Sequence, residues 1–318
     1  MSAVPATAAE LCPSCAIPGR ATSLTVPIAH DRLATLLRCP SCGSEFWSAG
    51  PDAAHGADPD GTAGPEADHD TSEYWEQYKF ELYADEAVQR AYVERYARML
   101  TLLNGLDLRP RSVLDVGGGI GNFAVWAAEQ QLHAFMTDLD ANAVAEARTR
   151  GVEAVQPDGL AGVLPKEGVD LVTLWDVVEH SSEPVALVRQ ARAALAPGGT
   201  LFLETPDARF PLRKSMLGLH RATGGRVDRT GALYYWEHKV YFTERGLRQL
   251  LRRCGMRTVA VERWTSPRAK MTNLLANPDA LGTSALYRGV GRAYPYADRL
   301  LEAMALGNKL IMAAVPDP

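Results

Sequence analysis

Between residues 112 and 205 the chain alternates two apolar patterns. Short, almost continuous apolar runs such as VDLVTLW are followed by stretches whose apolar positions recur every three or four residues. Continuous runs mark strands covered on both faces; the 3.6-residue recurrence marks amphipathic helices. The pattern predicts strands at 112–116, 133–137, 153–156, 169–175 and 200–205. It predicts helices at 121–131, 141–149, 184–195 and 243–254. In LAPGGTLFLETP a helix stop and a Gly-Gly turn lead into a buried strand. Strand and helix in strict alternation imply an α/β fold, an open parallel sheet with helices on both sides.

The pattern differs outside this core. Residues 72–103 have helical spacing and many aromatics, which predicts two helices broken near Tyr83–Asp85. Residues 206–238 read as a long insertion. Residues 256–318 add a strand, about two helices and a last strand, NKLIMAAV. Residues 49–70, AGPDAAHGADPDGTAGPEADHD, hold six acids, no Lys or Arg, and almost nothing to bury. Such a stretch cannot offset its ordering entropy, so it predicts a linker. The chain therefore divides into an N-terminal segment (1–48), an acidic linker (49–71) and a main domain (72–318).

Composition narrows the classes of function. Apolar residues make up 47% and charged residues 22% of the 318, as in an ordinary globular protein. The net charge of -5 argues against a nucleic-acid partner bound through its phosphates. No apolar run reaches the roughly 18 residues of a membrane span, and the N-terminus lacks a basic start followed by an apolar core. The expectation is a cytoplasmic protein.

The first strand of the core runs into glycines: VLDVGGGIGNF, residues 113–123. Glycines at a strand-to-helix turn allow positive φ and let a ligand approach the backbone, while the helix start offers free N–H groups. A dinucleotide fingerprint fails at its third place, Asn122, and no Lys-Ser or Lys-Thr completes a P-loop. The pattern is D-x-G-x-G-x-G, with Asp115, Gly117, Gly119 and Gly121. Asp115 would repel a pyrophosphate and suits a ligand with a cationic amine and sulfonium, S-adenosylmethionine (SAM). Asp138, at the end of the next strand, is placed to accept from ribose hydroxyls. Asp158 and Gly159 follow the third strand, placed for the adenine edge.

Together VLDVGGGIGNF, TDLD, VDLVTLWDVVEHSSEP, LAPGGTLFLETP and EHKVYFTERGLRQLLRRCGM resemble a class I SAM-dependent methyltransferase of the small-molecule type, with a Rossmann-like core. The resemblance spans about residues 72–315. It implies strand order 3-2-1-4-5-7-6 with the last strand antiparallel. It places Asp115 and the loop glycines at the methionine part, Asp138 at the ribose and Asp158 at the adenine. Trp175 and Asp176 would line the floor near the methyl group, and Tyr74 and Tyr78 would close over the cofactor.

Methyl transfer needs position and, for a protonated nucleophile, a base. His180, at the mouth of the fourth strand, and His238, in WEHKVYF, are the candidate bases. Glu179 reads as structural. The insertion carries Arg209, Arg213, Lys214, Arg221, Arg226 and Arg229 against Asp207 and Asp228. This local basic cluster suits an anionic, nucleotide-linked or carrier-bound acceptor, and equally a solvated loop.

Cys12 and Cys15, then Cys39 and Cys42, form two CPSC knuckles separated by 23 residues. They resemble a zinc ribbon, in which four thiolates close one tetrahedral Zn²⁺ with a structural role. Two disulfides or a redox pair remain alternatives. Cys254, alone on a predicted helix, reads as a packed residue. The combined expectation is a SAM-dependent methyltransferase of a small molecule with a zinc ribbon. Its candidate partners are a carrier protein or a second copy of the chain. One alternative is an RNA base methyltransferase gripping nucleic acid with the ribbon, although that segment is charge-balanced and lacks a basic-aromatic stripe. Another is a non-catalytic partner protein of the same fold.

Overall fold

The computed structural model describes residues 10–27, 33–48, 85–226, 234, 237–266 and 300–317. The expected linker, Tyr74, Tyr78 and the helix before residue 83 lie outside the described residues. So do Asp228, Arg229 and the segment 267–299.

The N-terminal segment forms three strands: β1 (Arg20–Pro27), β2 (Leu33–Arg38) and β3 (Glu45–Trp47). Helix α1 (Glu86–Gly105) follows, then β4 (Ser112–Val116), α2 (Asn122–Glu129), β5 (His133–Thr137), α3 (Ala141–Thr149) and β6 (Glu153–Val155). Next come α4 (Leu160–Val163), β7 (Val169–Trp175), α5 (Pro184–Ala193), β8 (Leu195–Pro206) and α6 (Pro211–Ala222). The chain closes with β9 (Val240–Tyr241), α7 (Glu244–Arg253), β10 (Met256–Trp264) and β11 (Lys309–Pro316).

Seven strands form one sheet, in the order β10-β11-β8-β7-β4-β5-β6. β11 runs antiparallel to both neighbours; the pairs from β8 to β6 are parallel. Numbered along these seven strands from the β6 edge, the order is 3-2-1-4-5-7-6, as the resemblance implied. Neighbouring residues on each strand face opposite cores. Leu114, Val172, Leu203 and Met312 belong to one cluster, and Val113, Leu171, Phe202 and Ile311 to the other. Burial of both faces is the physical reason that the strands read as unbroken apolar runs.

Boundaries shift where pairing, not propensity, decides. β8 begins at Leu195, five residues earlier than predicted, because Leu195 pairs with Val169 across a register shift. Part of the predicted insertion is the helix α6, started by Pro211 at its first turn, where a missing N–H costs nothing. The largest difference concerns β9. It pairs with β3 and completes a four-stranded antiparallel sheet, β1-β2-β3-β9. The N-terminal segment therefore shares a sheet with the main body of the chain.

Helix α1 is capped by Asp85, whose carboxylate accepts from the N–H groups of Ala87 and Val88. Its buried stripe runs Val88, Tyr92, Arg95, Tyr96, Met99, Leu103. Arg95 donates to Glu204 on β8 and to the Thr265 carbonyl, all within the core. Removing one partner of a buried pair leaves the other charge uncompensated, a loss of about 3–5 kcal/mol. Exposed pairs contribute less than about 1 kcal/mol. Arg95→Ala is expected to fall in the first range and Arg98→Ala, half-exposed beside Glu262 and Glu302, in the second. Urea unfolding of the two variants measures the difference; equal losses would refute the assignment.

Candidate functional site

The glycine loop sits where β4 hands the chain to α2. Gly117, Gly119 and Gly121 all take positive φ, at 72°, 55° and 80°. A side chain at Gly117 would strike Val177 at 2.7 Å. At Gly119 the space above the backbone is open. The turn is therefore tight underneath and free on top, the shape a backbone cradle needs. Arg150 locks it from the α3 side, donating to the Ile120 carbonyl and the Asn122 side chain, each at 2.7 Å. Nothing in the sequence pattern marked that arginine.

Asp138 has a duty the resemblance did not foresee. One carboxylate oxygen accepts from the Gly119 N–H at 2.8 Å, and the other from the Asp140 N–H at 2.9 Å. It thus holds the loop at the exit of β5. Asp140, passed over in the TDLD reading, caps α3 by accepting from the Asn142 N–H at 2.8 Å. Asp158 and Gly159 lie exposed in a short 3₁₀ turn, Pro157–Gly159, after β6. Asp115 is buried on β4 and accepts from the Thr173 hydroxyl at 2.7 Å. Burial pushes its carboxyl up to about 7, against that hydrogen bond.

The ends of β7 and β8 hold the remaining candidates. Trp175 packs among Tyr96, Phe123 and Phe202, with ring centroids 5.2, 5.6 and 4.8 Å away. Its indole N–H is buried and has no hydrogen-bond partner. Native proteins rarely leave a buried donor unmatched. This orphan, with the open cradle at Gly119, fits a bound cofactor. Asp176 sits at φ 54°, an unfavourable conformation for a non-glycine residue, and accepts from Lys309. Strain of this kind persists where surrounding contacts over-determine it. Lys309, a lone charge opening an apolar strand, was a signal available in the sequence.

His180 and His238, 58 positions apart, come together. Their ring centroids are 4.6 Å apart, edge to face. The Nδ1 of His180 lies 3.1 Å from the Glu237 carbonyl. Burial, reinforced by the charges of its neighbours, holds the His238 imidazolium well below the usual histidine range, so its ring is neutral near pH 7. Glu179 is fully buried and accepts from the Thr205 hydroxyl at 2.9 Å through one oxygen. Its other oxygen has no partner, and burial pushes its carboxyl well above the usual range. The ligand atoms of Glu179, His180 and His238 lie within 4.8 Å of one another.

Among the described residues the second group of metal-ligand composition is the expected one. The sulfurs of Cys12, Cys15, Cys39 and Cys42 lie within 4.8 Å of one another. Cys12 and Cys42 are 3.6 Å apart, and Cys15 and Cys39 3.4 Å. Tetrahedral Zn²⁺ with bonds near 2.3 Å sets its sulfurs about 3.8 Å apart. The four thiols fit such an ion, and the described structure pairs none of them as disulfides. Cys254 is buried in the core, as expected.

The seven-stranded sheet, the glycine cradle and the acids at the ends of β4 and β5 define the SAM-dependent methyltransferase class. Residues 84–261 match the family model for a methyltransferase domain, over half of the chain, and the chain belongs to that family. Among its curated relatives is a ubiquinone biosynthesis O-methyltransferase of Xanthomonas oryzae, 35% identical over 107 residues, 31% of this chain and 45% of the relative. Another is a tRNA U34 carboxymethyltransferase of Pseudoalteromonas translucida, 25% identical over 171 residues, 50% of this chain and 52% of the relative. The chain thus spans about half the length of the curated relatives it matches. Solved structures with a similar chain course include a SAM-dependent methyltransferase from Archaeoglobus fulgidus. It has a TM-score of 0.48 and 16% identity, covering 76% of this chain and 99% of that one. No described helix is long and apolar enough to cross a membrane.

The raised carboxyl of Asp115 sets a pH dependence. Its native pKa lies above the unfolded value of roughly 4, so the native state holds the proton more tightly. The contribution of this group to stability therefore declines as pH rises from about 4 towards 7. Asp115→Asn keeps an acceptor for Thr173 and removes the decline. The unliganded variant is expected to melt a few degrees above wild type at pH 8, with the gap closing near pH 4. Thermal unfolding at both pH values measures this, and an identical shift at the two would count against burial as the cause.

Proposed function

We propose that this methyltransferase acts on a small molecule carrying an anionic group. The observation behind the proposal is Arg213. It is the one arginine of the basic insertion that is buried among the described residues, at 5% exposure. Its Nε and one terminal nitrogen have no hydrogen-bond partner. Its guanidinium stacks on Tyr241 at 4.1 Å and on Tyr234 at 5.2 Å. Cation–π contact offsets part of the desolvation of such a group, but an anion matches its donors far better. Tyr241, on which Arg213 rests, also packs against His238 with ring centroids 5.4 Å apart, which ties the arginine to the histidine pair.

The assignment of roles follows from this placement. SAM, when bound, supplies the activated methyl group and a neutral leaving group. The cradle around Gly119 and the unmatched Trp175 N–H would hold it. Asp115 would meet its cationic end, Asp138 and Asp140 its ribose, and Asp158 with Gly159 its adenine. Asp176, fixed by Lys309, would face the reacting centre. Arg213 would orient the acceptor through its anionic group. His238, neutral near pH 7, is placed beside His180 to take the acceptor's proton. An acceptor named by the ubiquinone relative is a small molecule and one named by the tRNA relative is a nucleic acid. The net charge of -5 and the use of β3 by β9 favour the first kind.

Calorimetric titration with SAM and S-adenosylhomocysteine tests the cofactor half. Micromolar binding is expected, weakened at least tenfold, about 1.4 kcal/mol, by Asp138→Ala. Folded protein that binds neither would end the reading. Methyl transfer from labelled SAM to a panel of acidic small molecules and their neutral esters tests the acceptor half. Arg213→Met is expected to lower kcat/KM for acids at least tenfold and leave esters unchanged. Equal loss on both would remove the anionic group from the proposal.

A further inference from the structure

The segment Glu237–Thr243 carries His238, and two bodies of structure hold it. On one side the Val240 N–H donates to the Glu179 carbonyl at 3.2 Å, and the Phe242 carbonyl accepts from the Ala208 N–H at 2.9 Å. These bonds join it to the loops after β7 and β8. On the other side, among the described residues, its backbone is paired with the cysteine-bearing segment. Val240 and Tyr241 pair with Phe46 and Glu45. The Trp47 N–H donates to the Lys239 carbonyl at 3.3 Å. The Thr243 N–H donates to the Ser44 hydroxyl at 3.3 Å.

The tightest link starts at a metal-ligand position. The Thr243 hydroxyl donates to the Cys42 carbonyl at 2.6 Å and accepts from the Gly246 N–H at 3.0 Å, capping α7. The same residue thus ties the second knuckle to the helix that follows the segment. Space is closed here too: a Cβ at Gly246 would lie 2.0 Å from the Ser44 hydroxyl and 3.3 Å from the Cys42 sulfur. Fully buried Glu45 accepts from Lys214 on α6 and from the Tyr234 hydroxyl at 3.0 Å. Those contacts fix the helix and the ring on which Arg213 rests.

We infer that the four-cysteine ribbon is a wall of the acceptor site, and that its Zn²⁺ sets the position of the His238 segment through Cys42, Ser44 and Thr243. A three-stranded segment this small holds little core of its own, so its order depends on the metal. Losing the metal would free β3, then β9, then the cap of α7, while the glycine cradle on the far strands keeps its support. Thr243 is a positioning residue in this scheme. The inference rests on His238 and Arg213 flanking the acceptor, but its test reads backbone order and needs no acceptor.

The experiment is amide hydrogen exchange on the full chain, before and after zinc is removed by a chelator. Calorimetry with S-adenosylhomocysteine runs in parallel. Zinc-free protein is expected to lose at least tenfold protection across residues 238–246. Strands β4 and β5 should keep theirs, and the S-adenosylhomocysteine affinity should stay within threefold. Unchanged protection at 238–246 overturns the inference, as does loss spread evenly over the sheet. A zinc-loaded Thr243→Val variant is expected to lose protection at Gly246 and its neighbours, and Thr243→Ser to regain it. A Val variant as protected as wild type would sink the proposed link. If the cofactor reading fails instead, the titration fails for wild type while the exchange pattern stands.

Discussion

Two residues of strand, Val240 and Tyr241, must satisfy partners in two directions. Backbone N–H and C=O groups buried without partners cost several kcal/mol, so a buried crossing segment needs a ladder on each exposed edge. The loops that follow β7 and β8 supply isolated bonds through Glu179 and Ala208. The large sheet cannot supply a ladder, because its own edge beside β8 is filled by β11. The N-terminal segment brings the missing edge, β3. That requirement explains why a segment separated from the core by the acidic stretch 49–70, which holds almost nothing to bury, is nevertheless part of its packing.

The same region concentrates charge in a way a pure scaffold would avoid. Arg95 with Glu204, Lys309 with Asp176, and Arg263 with Asp207 at 2.9 Å are partly or wholly buried pairs. Glu179 is buried with one oxygen unmatched. Buried pairs are often no more stabilising than apolar residues of the same volume. Their clustering at the carboxyl ends of the strands, beside a left-handed Asp176, follows the rule that open α/β sheets place ligands at that edge. Glu179, its carboxyl raised by burial, and the uncharged His238 have their ligand atoms within 4.8 Å of each other.

Periodicity made the large sheet legible. β4, β5, β7 and α3 fall on their predicted residues because both faces of each strand are buried and the helix has a clean cap. The glycine loop was legible because glycine takes its three positive φ values without strain. The four thiols were legible from spacing alone. What pattern could not give was partnership. The position of Asp138 was legible, but only the fold shows its carboxylate accepting from the Gly119 and Asp140 N–H groups. Arg150 and Arg95 are ordinary helical arginines until the loop and β8 arrive beneath them. β9 is too short to have a period, and its role depends on a strand almost two hundred residues away. In the insertion, six cations looked alike, and burial singled out Arg213.

That selection has an electrostatic cause. Lys214 and Arg213 are adjacent, yet Glu45 accepts only from Lys214 and Tyr234. The one buried acid that the ribbon contributes among the described residues is therefore matched before it can serve Arg213. Turning Tyr234 towards Glu45 also presents its ring to the guanidinium, which holds the cation by its face and leaves its edge donors unmatched. A cation held by aromatic faces is retained in the core without being neutralised. Glu45 thus does two things at once: it anchors α6 to the ribbon, and it preserves an excess positive charge beside His238. An arrangement serving stability alone would have given the carboxylate to the arginine, whose planar fork it matches in two places. The two unmatched nitrogens of Arg213 are the ones that the proposed anionic acceptor would engage.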